Sequence, residues 1–215
     1  MAEPRRRLAP DDRRAELLAL GAEIFGQRPY DEVRIDEIAE RAGVSRALMY
    51  HYFPDKRAFF AAVVRAEGEL LFEATNTPAQ PGQSLFDQVR TGVLAYVRYD
   101  EEHPHGAWAS HMGIGQSDPV LRGIEDLDND RQANRIMVQL TAKAGALDAT
   151  VERDLRIRLY GWLAFTFELC RQRILNPSID AEQVADASAH ALFDAIGRVP
   201  GVPDALAHAV APRSR

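Results

Sequence analysis

Between Ser45 and Lys56 the chain places a hydroxyl, a guanidinium, two phenols and an ammonium within twelve positions. Val44, Met49 and Phe53 have the spacing of a core-facing helical side, which turns Ser45, Arg46, Leu48, Tyr50 and Tyr52 outward. Such a ridge suits the edge of a nucleic-acid duplex. Ser45, at a helix start, can offer its hydroxyl and backbone N–H to a phosphate. Arg46 can donate two hydrogen bonds to a guanine edge, a contact worth ~1–3 kcal/mol of base discrimination. Ala47 is small enough for close backbone approach, and Leu48 can meet a thymine methyl.

A ridge of this kind needs a rigid mount. Ile35–Ala42 has the pattern of a short helix with Ile38 and Ala39 inward. Gly43 follows where a helix end takes a left-handed residue, and Ser45 caps a second short helix reaching Tyr50 to Tyr52. A longer helix precedes them, about Asp12 to Phe25, with Leu17, Leu18, Ile24 and Phe25 inward and Asp11 or Asp12 as cap. Two short helices joined by a tight glycine turn after a longer one make a helix-turn-helix. After Pro54-Asp55, a helix from Lys56 to about Ala74 turns Phe59, Phe60, Val63, Val64 and Leu71 inward. The outward Tyr and Arg residues of the motif would also serve as the amphipathic covering of a plain helical hairpin with no DNA role.

The stretch Ile35 to Lys56 closely resembles the signature of the tetracycline-repressor (TetR) family. The matching elements are Ile38-Ala39, Ala42-Gly43-Val44-Ser45, Tyr50, Phe53 and Lys56, and the resemblance covers about residues 12–65. It implies that Tyr50, Tyr52 and Lys56 grip phosphates and set register without carrying sequence information. It also implies a homodimer on palindromic double-stranded operator DNA, released when a small molecule fills a C-terminal pocket and tilts the connector helix. Two positions depart from the pattern. Arg34 stands where the family usually has a capping Ser or Thr, and Leu48 replaces a small or polar residue. The Arg5-Arg6-Arg7 arm is either a minor-groove contact or a solubilising tail.

Beyond Asn76–Gly82, a turn-rich linker, the chain is more apolar. The expected division is a DNA-binding domain over 1–56, a connector over 56–74, and an all-helical ligand-binding and dimerisation domain over 75–215. Helices are expected over Ser84–Glu102, Asp118–Thr141 (with Leu121, Ile124, Leu127, Ile136, Met137 and Leu140 inward), Thr150–Asn176 and Asp180–Gly197. A broken segment, His103 to Ser117, separates the first two. The 150–176 helix is apolar on nearly every side after Arg158, so it must be covered on every side. Gly161 within it costs stability unless something packs close. The last helix carries Ala185, Ala187, Ser188, Ala191 and Ala195, which permit close approach. The resemblance assigns helices 150–176 and 180–196 to the dimer interface. Tyr96, Trp108, His111, Met112, Met137, Trp162 and Phe165 supply apolar walls with polar handles for a largely apolar effector, or a plain core.

The formal net charge of −6 weighs against nucleic acid taken alone, yet basic residues recur early, from Arg5 through Arg34 and Arg46 to Lys56. The single cysteine, Cys170, excludes an intrachain disulfide and points to a reducing compartment, the cytoplasm. His103, His105 and His111 lack a thiolate or carboxylate at a metal-binding interval, so no metal or cofactor is expected. No nucleophile elbow, phosphate loop or H-E-x-x-H is present. A non-enzymatic regulator is the leading reading; a helical enzyme or a protein-binding adaptor are the alternatives.

Overall fold

The computed structural model describes residues 9–76, 78–112 and 118–207; of Trp108, Ala109, Ser110, Met112 and Ala207 only the backbone is described. The Arg5-Arg6-Arg7 arm lies outside the described residues. No strand occurs among those described. The helices fall into two compact units, Met1–Glu69 with His103–Ile124, and Leu70–Glu102 with Glu125–Arg215.

The first unit opens with α1, Pro10–Gln27, whose N-cap Ala9 makes no side-chain bond. The expected aspartate cap is replaced by Pro10, whose ring presets the helical φ. Asp11 and Asp12 sit in the first turn, where the helix dipole favours a negative charge. A 3-10 turn, Tyr30–Glu32, leads to α2, Ile35–Ala42. Gly43 ends α2 at φ 61°, a left-handed value that costs glycine nothing. Ser45 then caps α3, Arg46–Tyr52, its hydroxyl oxygen accepting from the Leu48 N–H at 3.1 Å. Asp55 Oδ1 accepts from the Ala58 N–H at 2.7 Å and starts α4, Lys56–Ala74. Phe59, Phe60 and Val63 of α4 are buried; Val64 and Leu71, expected inward, are only partly so. Phe25, Tyr30, Phe53, Phe59 and Phe60 form one aromatic cluster at the centre of this core.

The region expected to be broken contains a helix, α6, Pro104–Met112, which packs along α1. A side chain at Gly26 would come within 2.3 Å of the His105 backbone, so glycine permits this approach. Leu121 and Ile124, in the first turns of α7 (Pro119–Ala144), belong to the same core. The described residues 103–112 and 118–124 thus depart from the expected boundary at 75 and pack with the N-terminal helices.

The second unit is built on α5 (Leu85–Glu102), the rest of α7, α8 (Ala149–Leu175) and α9 (Ala181–Gly197). Ser84, Asp148 and Asp180 each accept a hydrogen bond from a first-turn N–H. Its core is mostly aliphatic, with Leu155, Leu159, Leu192 and Ile196 fully buried. Arg90 of α5 ties α9 through Glu182 and Asp186. A short α10, Asp204–Ala207, buries Leu206 in this core. Leu127 is a correction: it is 62% exposed. No α7 residue between Ile124 and Ala133 is buried, because there the helix leaves one unit's core before joining the other's.

Candidate functional site

The outward ridge rests on a fixed floor. Met49 and Phe53 are fully buried and Val44 packs beside them, so α3 has one orientation on α2. Ser45, Arg46, Ala47 and Tyr50 are exposed, as is His51; Leu48 is half-buried. Arg34 is the N-cap of α2, makes no side-chain cap bond, and is 78% exposed. α2 still begins at Ile35 without that cap, and the Arg34 guanidinium lies 3.8 Å from the Asp36 carboxylate. The Arg46 guanidinium is paired with the Asp36 carboxylate at the start of α2: Nε donates to Oδ1 at 2.5 Å and Nη2 to Oδ2.

Tyr52 and Lys56 are engaged by the protein itself. The Tyr52 hydroxyl donates to the Pro10 carbonyl at 3.3 Å, joining α3 to the start of α1. Lys56 Nζ donates to the carbonyls of Tyr30 and Val33 at 3.0 and 3.1 Å and sits 4.2 Å above the Tyr30 ring. Both brace the helix-turn-helix from behind. Burial, reinforced by Asp55, pushes the Tyr30 phenol above its ordinary value. Sequence reading passed over two residues on this face, Asp36 and His51. Asp36 reads as a first-turn acid on its own helix. Only the α2–α3 angle brings it to Arg46. His51 carries no signal beyond its place on the outward side, against the Tyr52 ring.

The seven residues expected to line an effector pocket do not share one environment. Tyr96, Met137, Trp162 and Phe165 belong to the second unit, whereas His111 is buried in the first. Trp108 and Met112 lie outside the described side chains. Met137 is 4% exposed within the core, and the Trp162 indole N–H donates to the Ser188 carbonyl at 2.7 Å, so both pack α7 and α8 into place. Burial pushes the Tyr96 phenol well above its ordinary range, and the neighbouring Asp100 and Cys170 add to it. A cavity of about 300 Å³ lies on α5, between Leu94, Ala95 and Tyr99 with Thr91, Arg98 and Glu102 as polar edges. None of the five with described side chains, Tyr96, His111, Met137, Trp162 and Phe165, lines it. Phe165 is 42% exposed; with Ile157, Tyr160, Gly161 and Ala164 it forms an open apolar stripe along α8. Cys170 is buried, and burial pushes its thiol up, so it stays protonated and unreactive. Among the described residues no three metal-binding side chains converge, and no helix is long and apolar enough to cross a membrane.

Residues 17–63 match the family described as bacterial regulatory proteins, tetR family. The chain is 31% identical to the HTH-type transcriptional activator FasR of Mycolicibacterium smegmatis over 46% of each chain. It is 30% identical to the regulator EthR of the same organism over 50% of each, so the similarity spans about half the length of these relatives. With EthR of Mycobacterium tuberculosis it shares 24% identity over 85% of this chain and 82% of that one. A tetR-family regulator from Streptomyces coelicolor has the same fold, with a TM-score of 0.73 at 20% identity over 94% of this chain and 88% of that structure. The glycine turn, the Ser45-capped second helix and the aromatic core beneath it all lie within the segment that matches the tetR-family model.

Proposed function

We propose that the protein is a DNA-binding transcriptional regulator. In this reading it acts as a homodimeric repressor that leaves a palindromic operator when a small, largely apolar molecule binds its C-terminal helices. The observation that carries the reading is the exposed ridge Ser45-Arg46-Ala47-Tyr50, with Leu48 half-buried beside it, on a seven-residue helix capped by Ser45 and pinned by Met49 and Phe53. α3 lies in the major groove. Arg46 reads a guanine, Leu48 meets a thymine methyl, and Ala47 lets the backbone approach. Ser45, Arg34 and Tyr50 take phosphates. Tyr52 and Lys56, which the family resemblance assigns to phosphates, hold the reading helix against α1 and the Tyr30 turn.

The open stripe of α8 supports dimerisation through α8 and α9, which places two α3 helices on successive half-sites. Residues 1–56 form the DNA-binding domain, α4 is the connector, and the helices of the second unit bind the effector and the partner copy. An effector releases DNA only if it binds the DNA-incompetent state more tightly; a typical coupling of ~1–3 kcal/mol lowers operator affinity about 5- to 150-fold. The reading requires no cofactor, metal or catalytic step, and its site of action is the cytoplasm.

The test is the double variant Arg46→Ala with Tyr50→Ala, assayed on duplexes that the wild-type protein enriches from a randomised pool. The expected result is loss of selective binding with helicity and dimer retained. Unaltered binding by that variant would overturn the reading in favour of an enzyme or adaptor.

A further inference from the structure

We propose that Asp36 is a specificity-determining positioning residue: it holds the Arg46 guanidinium so that its outer edge faces a base before DNA arrives. The inference rests on the reading of α3 as the major-groove helix.

A guanidinium carries five N–H donors in a rigid plane and can form paired hydrogen bonds along two of its edges. Asp36 occupies the side edge, receiving Nε on Oδ1 at 2.5 Å and Nη2 on Oδ2. The end edge, formed by Nη1 and the second hydrogen of Nη2, stays open. That fork is the one that fits the O6 and N7 acceptors of guanine. The Arg46 side chain remains 68% exposed while paired, so the carboxylate orients the group without covering it. Arginine has several rotatable bonds, and ordering them in advance lowers the cost of the later contact.

Asp36 is itself well seated for the task. It lies in the first turn of α2, where the helix dipole favours a carboxylate, and its side chain is only 24% exposed. Arg34 Nη2 approaches the same oxygen, Oδ2, at 3.8 Å. α2 is fixed in turn by the buried Ile35, Ile38 and Ala39. The arrangement has a cost in affinity. A carboxylate at a DNA-facing surface repels phosphate and cancels part of the attraction of Arg46. A residue there for attraction alone would not be an acid; one placed there for aim can be.

This gives Asp36→Asn two opposed effects. Non-specific affinity for a random duplex rises or stays level, because an anion is removed. Discrimination falls at one base pair per half-site, by about tenfold, part of what a bidentate guanine contact supplies. Asp36→Glu, which keeps the charge on a longer stem, restores part of it. The measurement is binding of wild type, Asp36→Asn, Asp36→Glu and Arg46→Ala to the wild-type-enriched duplex and to its single-base variants. Arg46→Ala identifies the base pair that Arg46 reads. ¹⁵N relaxation of the Arg46 Nε in the free protein reports its order: restrained in wild type, mobile in Asp36→Asn. Exposed ion pairs contribute little to stability, so the fold should survive, and thermal melts check it. If Arg46→Ala relaxes a base pair but Asp36→Asn leaves it sharp, the proposal fails and the reading of α3 stands. If Asp36→Asn sharpens discrimination, Asp36 competes with DNA for Arg46 and the proposal also fails. If Arg46→Ala relaxes nothing, the α3 reading itself falls.

Discussion

The α3 face of the first unit and the α8 face of the second are both open to solvent, and they are opposites. On α3, the exposed positions are a serine at its cap, an arginine held by Asp36, an alanine, a tyrosine and a histidine, above an aromatic cluster. On α8 they are Ile157, Tyr160, Gly161, Ala164 and Phe165, above an aliphatic core. A polar exposed face spells out its ligand chemistry residue by residue, because each donor has a geometry. An apolar exposed face states only that something must cover it. The first supports a proposal about bases and phosphates; the second supports one about a partner surface. Variants that treat the two faces differently are therefore the informative ones.

The largest effect is expected from Ile157→Arg combined with Phe165→Arg. Both side chains are well exposed, so the folded chain tolerates charge there. A paired half-site gains from effective concentration by about 10²–10⁴-fold, and that gain is lost if the stripe is the dimer face. Sedimentation should show a monomer, and operator affinity should fall by that order with helicity unchanged. A variant that remains dimeric on full-strength operator would separate the α8 stripe from assembly.

Next is Phe59→Ala, in the floor beneath the reading face. Phe59 is fully buried, 4.8 Å from the Phe53 ring and 5.9 Å from that of Phe25. Its truncation should cost about 3–5 kcal/mol. Denaturant unfolding should show that loss, with DNA binding abolished before the α8 face loses its association. Loss of both at one midpoint would mean that the two units melt together.

These two faces also mark how far the sequence could be read. Gly43 and Ser45 act on their own neighbours, so the turn, both helix boundaries and the outward side of α3 were legible from local rules. Contacts across the fold were not. Nothing local tells that Asp36 meets Arg46, or that Lys56 gives its donors to the Tyr30 and Val33 carbonyls. Leu127 fits the apolar period of α7 and is exposed, because periodicity assumes one continuous core and this helix serves two. The α6 helix was hidden by its proline and glycine, although Pro104 opens it and Gly106 lets Glu67 come close. The expected pocket residues share a composition but not a location. Aromatic content does not distinguish core from cavity.

A third prediction concerns pH. Burial raises both the Cys170 thiol and the Tyr96 phenol in the second unit. Each is neutral when protonated, so the folded state holds its proton more tightly than the unfolded chain. Their contribution is intact below the ordinary values of 9.0 and 10.0 and declines as pH climbs above them, while the folded groups stay protonated. The loss is at most about 1.4 kcal/mol per pH unit per group. Denaturant midpoints between neutral and strongly alkaline pH should fall, and Cys170→Ala should flatten the slope near its start. A wild-type profile that is flat above the thiol range would contradict the burial of these groups. For the α3 face the matching expectation is salt sensitivity, since its proposed contacts include phosphates.

The smallest change turns on a sign. Gly161 sits in the middle of α8, and a methyl group added there meets nothing within 4 Å in this chain. In an isolated helix, Gly161→Ala should stabilise by roughly 0.5–1 kcal/mol, because alanine loses less backbone entropy on folding. Against a partner helix packed close at Gly161 and Ala164, the same methyl is an intrusion, and overpacking costs about 1–3 kcal/mol. The dimer reading requires the second outcome: weaker association in Gly161→Ala, with a more stable monomer when the stripe is already broken by Ile157→Arg. Measured together, the two backgrounds isolate the neighbour. A Gly161→Ala variant that gains stability and keeps its association would leave α8 open at its centre, and the proposed partner would have to meet the stripe at its ends.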